Sequence, residues 1–182
     1  LQDSPAGSNA GAVYILARRD GSWGLETVLT DDDGTRAGFF GEAVAVSGET
    51  AVLTTPRIRG DANGAALVYE RADGDWSRVA TLEARPDEPA RRFGAAAAFD
   101  GDTAVVTATP RDTATNETRG SAYVYARTDD GWTRRTVLSP SPADRTTQFG
   151  TAVALSGTRL AVGAPDARDE DENEVGAVSV FR

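Results

Sequence analysis

Short runs of apolar and small residues alternate along this chain with tight polar turns, and the alternation repeats. The runs FGEAVAV (40–46), FGAAAAF (93–99) and FGTAVAL (149–155) each begin on a Phe-Gly pair, at intervals of 53 and 56 residues. Trp23, Trp76 and Trp132 keep the same two intervals, as do Gly48, Gly101 and Gly157. A further segment opens on Gly11, Gly64, Gly120 and Gly176 and reads GAVYILAR, GAALVYER, GSAYVYAR and GAVSVFR. Runs of this length and composition, bounded by Gly-containing turns, predict β-strands. A repeat of about 55 residues made of short strands predicts a propeller or a related array.

The middle copy shows the unit. Phe93 to Phe99 is a first strand, Asp100-Gly101-Asp102 a tight turn, and Thr103 to Pro110 a second strand. A polar segment, 111–119, leads to a third strand at Ser121 to Arg127. Asp129-Asp130-Gly131 turns the chain into a fourth strand, Trp132 to Leu138. First strands are rich in alanine and valine, which suits the crowded axis where blades converge. Third strands are apolar on both faces, as expected of a strand sandwiched between neighbours. The tryptophan that opens each fourth strand is expected to cover the seam to the following blade.

The fold class that follows is all-β: a partial β-propeller of four-stranded antiparallel blades, about three in number. Residues 1–182 form one repeat domain. It holds a half blade at 11–29, full blades at 39–82 and 93–138, and an incomplete blade at 149–182. Thirteen strands are too few for a closed ring of ordinary blade count. The chain reads as an open arc of a larger propeller, or as one of two arcs that close a ring together.

Composition narrows the chemistry. The chain has no histidine, cysteine or methionine, so disulfides and thiolate or imidazole metal sites are excluded. A histidine-based catalytic triad is excluded as well. Carboxylates are so abundant that no pair of them points to glycosidase chemistry. The formal net charge is −9. An acidic chain without a basic patch argues against nucleic acid. No apolar run is long enough to insert in a membrane. All 19 cations are arginine. That loss of lysine fits either high genomic G+C or adaptation to high salt.

The Phe-Gly pair, a short strand, a tight turn and a segment ending in Gly163-Ala164-Pro165 resemble the FG-GAP repeat. Earlier copies depart from it, with Leu53-Thr54-Thr55-Pro56 and Ala108-Thr109-Pro110 in its place. The resemblance implies the blade unit of the seven-bladed integrin α-subunit propeller and of microbial secreted proteins. It therefore implies an extracellular or cell-surface location and a role in adhesion or protein binding. Integrin-type blades hold calcium between first and second strands, where this chain has only short turns, so that site does not carry over. The acidic run 166–174 leaves calcium as a candidate cofactor, through Asp166, Asp169, Asp171 and Asn173. The long variable segments fall on one edge, where recognition on rigid scaffolds usually lives. Arg57, Arg59, Arg91, Arg92, Arg111 and Arg145 fall there and are candidate contacts for a protein or glycan partner. Asn116-Glu117-Thr118 is an N-glycosylation sequon.

The function expected is a non-catalytic interaction module. The alternatives are an accessory propeller of a secreted hydrolase or lyase whose active site lies outside this chain, and a purely architectural spacer. At a net charge of −9 the folded chain repels itself at low ionic strength, and salt screens that repulsion. The melting temperature is expected to rise from dilute buffer to molar salt. A flat or falling curve would assign the composition to codon bias alone.

Overall fold

The computed structural model describes residues 11–30, 39–56, 64–85, 92–109, 120–140, 148–171 and 173–182. Those residues contain thirteen strands in four antiparallel sheets and no helix. The first sheet pairs β1 (Val13–Arg19) with β2 (Ser22–Leu29). The second runs β3 (Val44–Ser47), β4 (Thr50–Thr55), β5 (Ala65–Ala72), β6 (Asp75–Leu82). The third runs β7 (Phe93–Asp100), β8 (Thr103–Ala108), β9 (Ser121–Thr128), β10 (Gly131–Leu138). The fourth holds β11 (Ala152–Ser156), β12 (Arg159–Ala164) and β13 (Ala177–Phe181). Neighbours in space are neighbours in sequence, as in propeller blades.

Local chemistry explains the turns. Asp20 and Gly21 both have positive φ, as do Asp73 and Gly74, which is the hairpin geometry that Asp-Gly favours. Each Phe-Gly sits in a four-residue turn closed by a backbone hydrogen bond. The Phe39 carbonyl accepts from Glu42 at 2.9 Å, and the Arg92 carbonyl from Ala95 at 3.1 Å. Gly41 and Gly94, at the third position, have φ of 86° and 99°. That is a type II turn, and it needs glycine there.

Three apolar clusters fill the three seams between consecutive sheets. The first joins Val13, Ile15 and Leu29 to Phe40, Leu53, Leu67 and Tyr69. The second joins Val52, Ala66, Val68 and Leu82 to Phe93, Ala104, Val106, Tyr123 and Tyr125. The third joins Val105, Ala122 and Leu138 to Phe149, Leu160, Val162 and Phe181. In every seam the phenylalanine of Phe-Gly stands against the preceding sheet. It also packs on the third-strand aromatics of its own sheet: Phe93 lies 5.1 Å from Tyr123, edge to face. The backbones close up at the same point. A Cβ added to Gly11, Gly64 or Gly120 would lie 2.2, 1.9 or 1.6 Å from the carbonyl oxygen of Phe40, Phe93 or Phe149. The Thr107 hydroxyl also reaches across, donating to the Gly150 carbonyl at 2.7 Å. First strands draw together, since β7 contacts β3 and β11, whereas the outer strands β6 and β10 barely meet. This is convergence toward an axis.

One expectation is corrected. Trp76 and Trp132 cover the seam to the preceding sheet, not the following one: Trp76 packs against the first cluster, and Trp132 against Phe99 and the second cluster. Strict alternation would put Trp76 on the same face as Leu82, which does face the following sheet. A β-bulge intervenes. Val68 pairs with Ala80 but Tyr69 pairs with Arg78, leaving Val79 as an extra residue. The same slip leaves Glu26 extra in β2 and Arg135 extra in β10. One extra residue inverts the alternation, so the two ends of each fourth strand serve different seams. The second and third strands of the middle sheets also differ slightly from expectation. β8 ends at Ala108 and β9 runs on to Thr128.

Gly120→Ala is expected to destabilise the chain by roughly 3 kcal/mol or more, because the methyl overlaps the Phe149 backbone rather than a side chain that can move. Gly101→Ala meets open space and carries only left-handed strain, about 1–2 kcal/mol. Chemical denaturation of both variants checks the ranking. Equal losses would refute the close-approach account.

Candidate functional site

Antiparallel pairing sorts the connections onto two edges of the arc. The two-residue turns, such as Gly48-Glu49, Asp73-Gly74 and Gly101-Asp102, all lie on one edge. The connections 30–43, 56–64, 83–92, 109–120, 139–151 and 165–176 all leave from the other. The long edge is therefore built by strand ends that the seams hold rigidly.

The short-turn edge is tied across the seams by charge. The Arg71 guanidinium meets Glu26 of the preceding sheet at 2.5 Å and Glu49 of its own sheet at 3.3 Å. Those two carboxylates, Glu26 first, push its pKa above the ordinary arginine value, so it stays charged throughout. Arg127 pairs with Glu70 of the preceding sheet at 2.8 Å. The Asp100 carboxylate accepts from the Gly157 backbone N–H at 2.7 Å, bridging the next seam. Sequence reasoning missed these cations. The signal was present, since Arg18, Arg71 and Arg127 close three successive third-strand segments.

On the long edge, Arg92 is half-buried, and its Nη2 contacts Glu42 in the preceding sheet at 3.3 Å. It occupies the left-handed residue before Phe-Gly, as Phe39 and Gln148 do in their repeats. Gln148 donates from its amide to Asp166. Arg92 thus serves a seam as well as the edge. Arg57, Arg59, Arg91, Arg111, Arg145 and the sequon residue Asn116 lie outside the described residues.

Asp166, Asp169, Asp171 and Asn173 are described, but they do not converge. Asp166 is held by Gln148. Asp169 caps its own loop, accepting backbone N–H groups from Asp171 at 3.0 Å and Asn173 at 2.9 Å, and the Asn173 side-chain amide besides. Arg168 pairs with Glu174 at the loop's base. Among the described residues no three acidic groups are placed to hold a metal together. A cleft of about 440 Å³ opens between the first and second sheets, lined by Leu29, Thr30, Tyr69, Trp76, Ser77 and Arg78. The Trp76 Nε1 is buried there without an acceptor among the described residues.

The family model for the FG-GAP repeat matches residues 23–69, 76–125 and 132–181. The chain belongs to the FG-GAP repeat family. Each match opens on a repeat tryptophan and ends in or just beyond the next apolar third-strand core. An FG-GAP repeat here is thus the outer strand of one sheet plus the first three of the next, so every repeat crosses a seam covalently. The family assigns the four sheets as blades of a propeller. FG-GAP propeller domains are generally non-catalytic and typically occur in extracellular or surface proteins. No curated protein matches the chain. Among the described residues no helix is long and apolar enough to cross a membrane.

The Asp169 carboxyl is held below its ordinary range, chiefly by the Asn173 backbone N–H and then by the Asn173 amide. Because the folded value is depressed, its contribution to the loop is present above the unfolded value and is lost as pH falls through the folded one. Amide exchange at Asp171 and Asn173 is expected to quicken at low pH and in Asp169→Ala, with the melting temperature of the blades unchanged. Unchanged exchange in Asp169→Ala would show that the loop does not depend on this cap.

Proposed function

We propose that this FG-GAP arc is a non-catalytic interaction module of an extracellular or cell-surface protein, presenting its long edge to a protein or glycan. The observation that supports this most is the segregation of connections. The seam-spanning ion pairs of Arg71 and Arg127 occupy the short-turn edge, while every connection of more than two residues leaves from the other. Variable segments on rigid strand ends are the usual place for recognition.

Arginine suits such an edge because its planar fork pairs bidentately with carboxylates and stacks on rings. Arg57, Arg59 and Arg111 belong to segments that begin and end at this edge, with Arg91 and Arg145 on the two connections that lead into Phe93 and Phe149. Arg92 is the exception, since Glu42 already engages it. A ligand bearing carboxylates, such as a uronic-acid glycan or an acidic protein surface, fits this set. Its attraction must act at short range, because the whole chain carries −9.

The test is binding to an array of uronic-acid and neutral glycans, alongside immobilised acidic and neutral proteins. Arg57→Ala with Arg59→Ala, and Arg111→Ala, are expected to weaken binding about tenfold or more each, as loss of an interface arginine does. Asp102→Ala, on the short-turn edge, should leave it intact. The opposite pattern would move the binding surface to the short-turn edge.

A further inference from the structure

The cleft between the first and second sheets is an internal feature of the arc. One wall comes from the end of β2 and the other from β5 and β6, with β1 on its axial side. The next seam shows why it is open. There the counterparts of Trp76 and Arg78 each meet an aromatic ring. Trp132 lies 5.9 Å from Phe99 between ring centroids, and the Arg134 guanidinium sits over the Tyr123 ring at 5.9 Å. One repeat earlier, Val46 stands at the position of Phe99 and Leu67 at that of Tyr123. Leu67 faces the first seam as Tyr123 faces the second. Two rings are thus replaced by shorter aliphatic side chains, and about 440 Å³ is open beside Trp76 and Arg78.

The lining combines apolar walls with donors. Leu29, Tyr69 and the Trp76 indole supply the walls, and Arg78 supplies a guanidinium. The Trp76 Nε1 is buried there without an acceptor among the described residues, a condition that calls for an oxygen from outside the chain. None of the described lining residues is acidic, although the chain as a whole carries −9. We propose that this cleft binds a small aromatic acid. Its ring lies beneath Arg78, as the Tyr123 ring lies beneath Arg134, and its carboxylate accepts from the Trp76 Nε1. A guanidinium suits such a ligand, because it stacks on rings and attracts the negative charge. The volume is of the size that takes a single substituted ring. Trp76 and Arg78 belong to β6, so the site is separate from the long-edge arginines and does not rest on the recognition reading.

The probes are phenylacetate, the neutral benzyl alcohol and glucuronate, which separate the ring from the carboxylate. The readout on the full chain is the Trp76 indole N–H resonance, assigned through Trp76→Phe. Phenylacetate is expected to shift it with a Kd on the order of 1 mM, in keeping with a ligand of that size. Benzyl alcohol and glucuronate should each bind about tenfold more weakly or worse, having lost one of the two contacts. Arg78→Gln should weaken phenylacetate about tenfold. Leu67→Tyr supplies the ring from the chain itself and should abolish binding. Circular dichroism checks that both variants fold, and Arg78, which is exposed, serves alone if the buried Leu67→Tyr does not. Arg57→Ala with Arg59→Ala should leave the shift unchanged, so failure of this site and failure of the long-edge reading are told apart. No shift with phenylacetate overturns the proposal. So does glucuronate binding as tightly as phenylacetate, or phenylacetate binding unchanged in Arg78→Gln.

Discussion

The arc depends on how closely the Phe-Gly turn of one sheet can approach the glycine that opens the third strand of the sheet before it. At Gly11, Gly64 and Gly120 the approach is too close for any Cβ, because the phenylalanine carbonyl occupies that space. This contact sets the spacing of neighbouring sheets at the long edge. Once it is made, the phenylalanine ring is driven into the seam, where it meets the apolar faces of both sheets. The type II turn, the buried ring and the small residues of the first strand are consequences of one steric demand. Stability then accumulates seam by seam, as in other repeat proteins whose units touch only their neighbours.

The seams are apolar inside, with charged contacts at the rims, most of them at the short-turn edge. Arg71 and Arg127 each reach back to a carboxylate of the preceding sheet, and Asp100 reaches a backbone N–H of the following one. Partly exposed pairs of this kind contribute little stability individually. Their value is directional: they register one sheet on the next at the short-turn edge. That commits the short-turn edge to structure, in keeping with the proposal that recognition lies on the long edge. The same division explains why Arg92 is a weaker candidate contact than the arginines deeper in the connections.

The matched repeats begin on the tryptophans rather than on Phe-Gly. A unit cut there spans two sheets, so chain connectivity and seam packing reinforce each other. Leu16 with Trp23, and Val178 with Val180, are apolar because their repeat counterparts are seam residues. Their exposure is a property of where they stand in the arc and not of their local sequence.

The amino-acid sequence by itself determined the strands, the turns and the repeat. Phe-Gly, Asp-Gly and the alternating runs act locally, through φ preferences and side-chain period, so Phe93 to Asp100 and Ser121 to Thr128 were legible almost to the residue. The ion pairs of Arg71 and Arg127 were half legible, as a recurring cation whose carboxylate lies in another sheet. The candidate metal residues share a loop in sequence, and in the fold Asp169 accepts the Asp171 and Asn173 backbone N–H groups on Oδ1 and the Asn173 side-chain amide on Oδ2. Only the tertiary structure decided which seam each tryptophan covers. The extra residue at Glu26, Val79 or Arg135 is invisible in one strand's pattern, because a bulge is a mismatch between two strands and exists only once they pair. That single offset turns Trp76 toward the preceding sheet and leaves Leu82 facing the next.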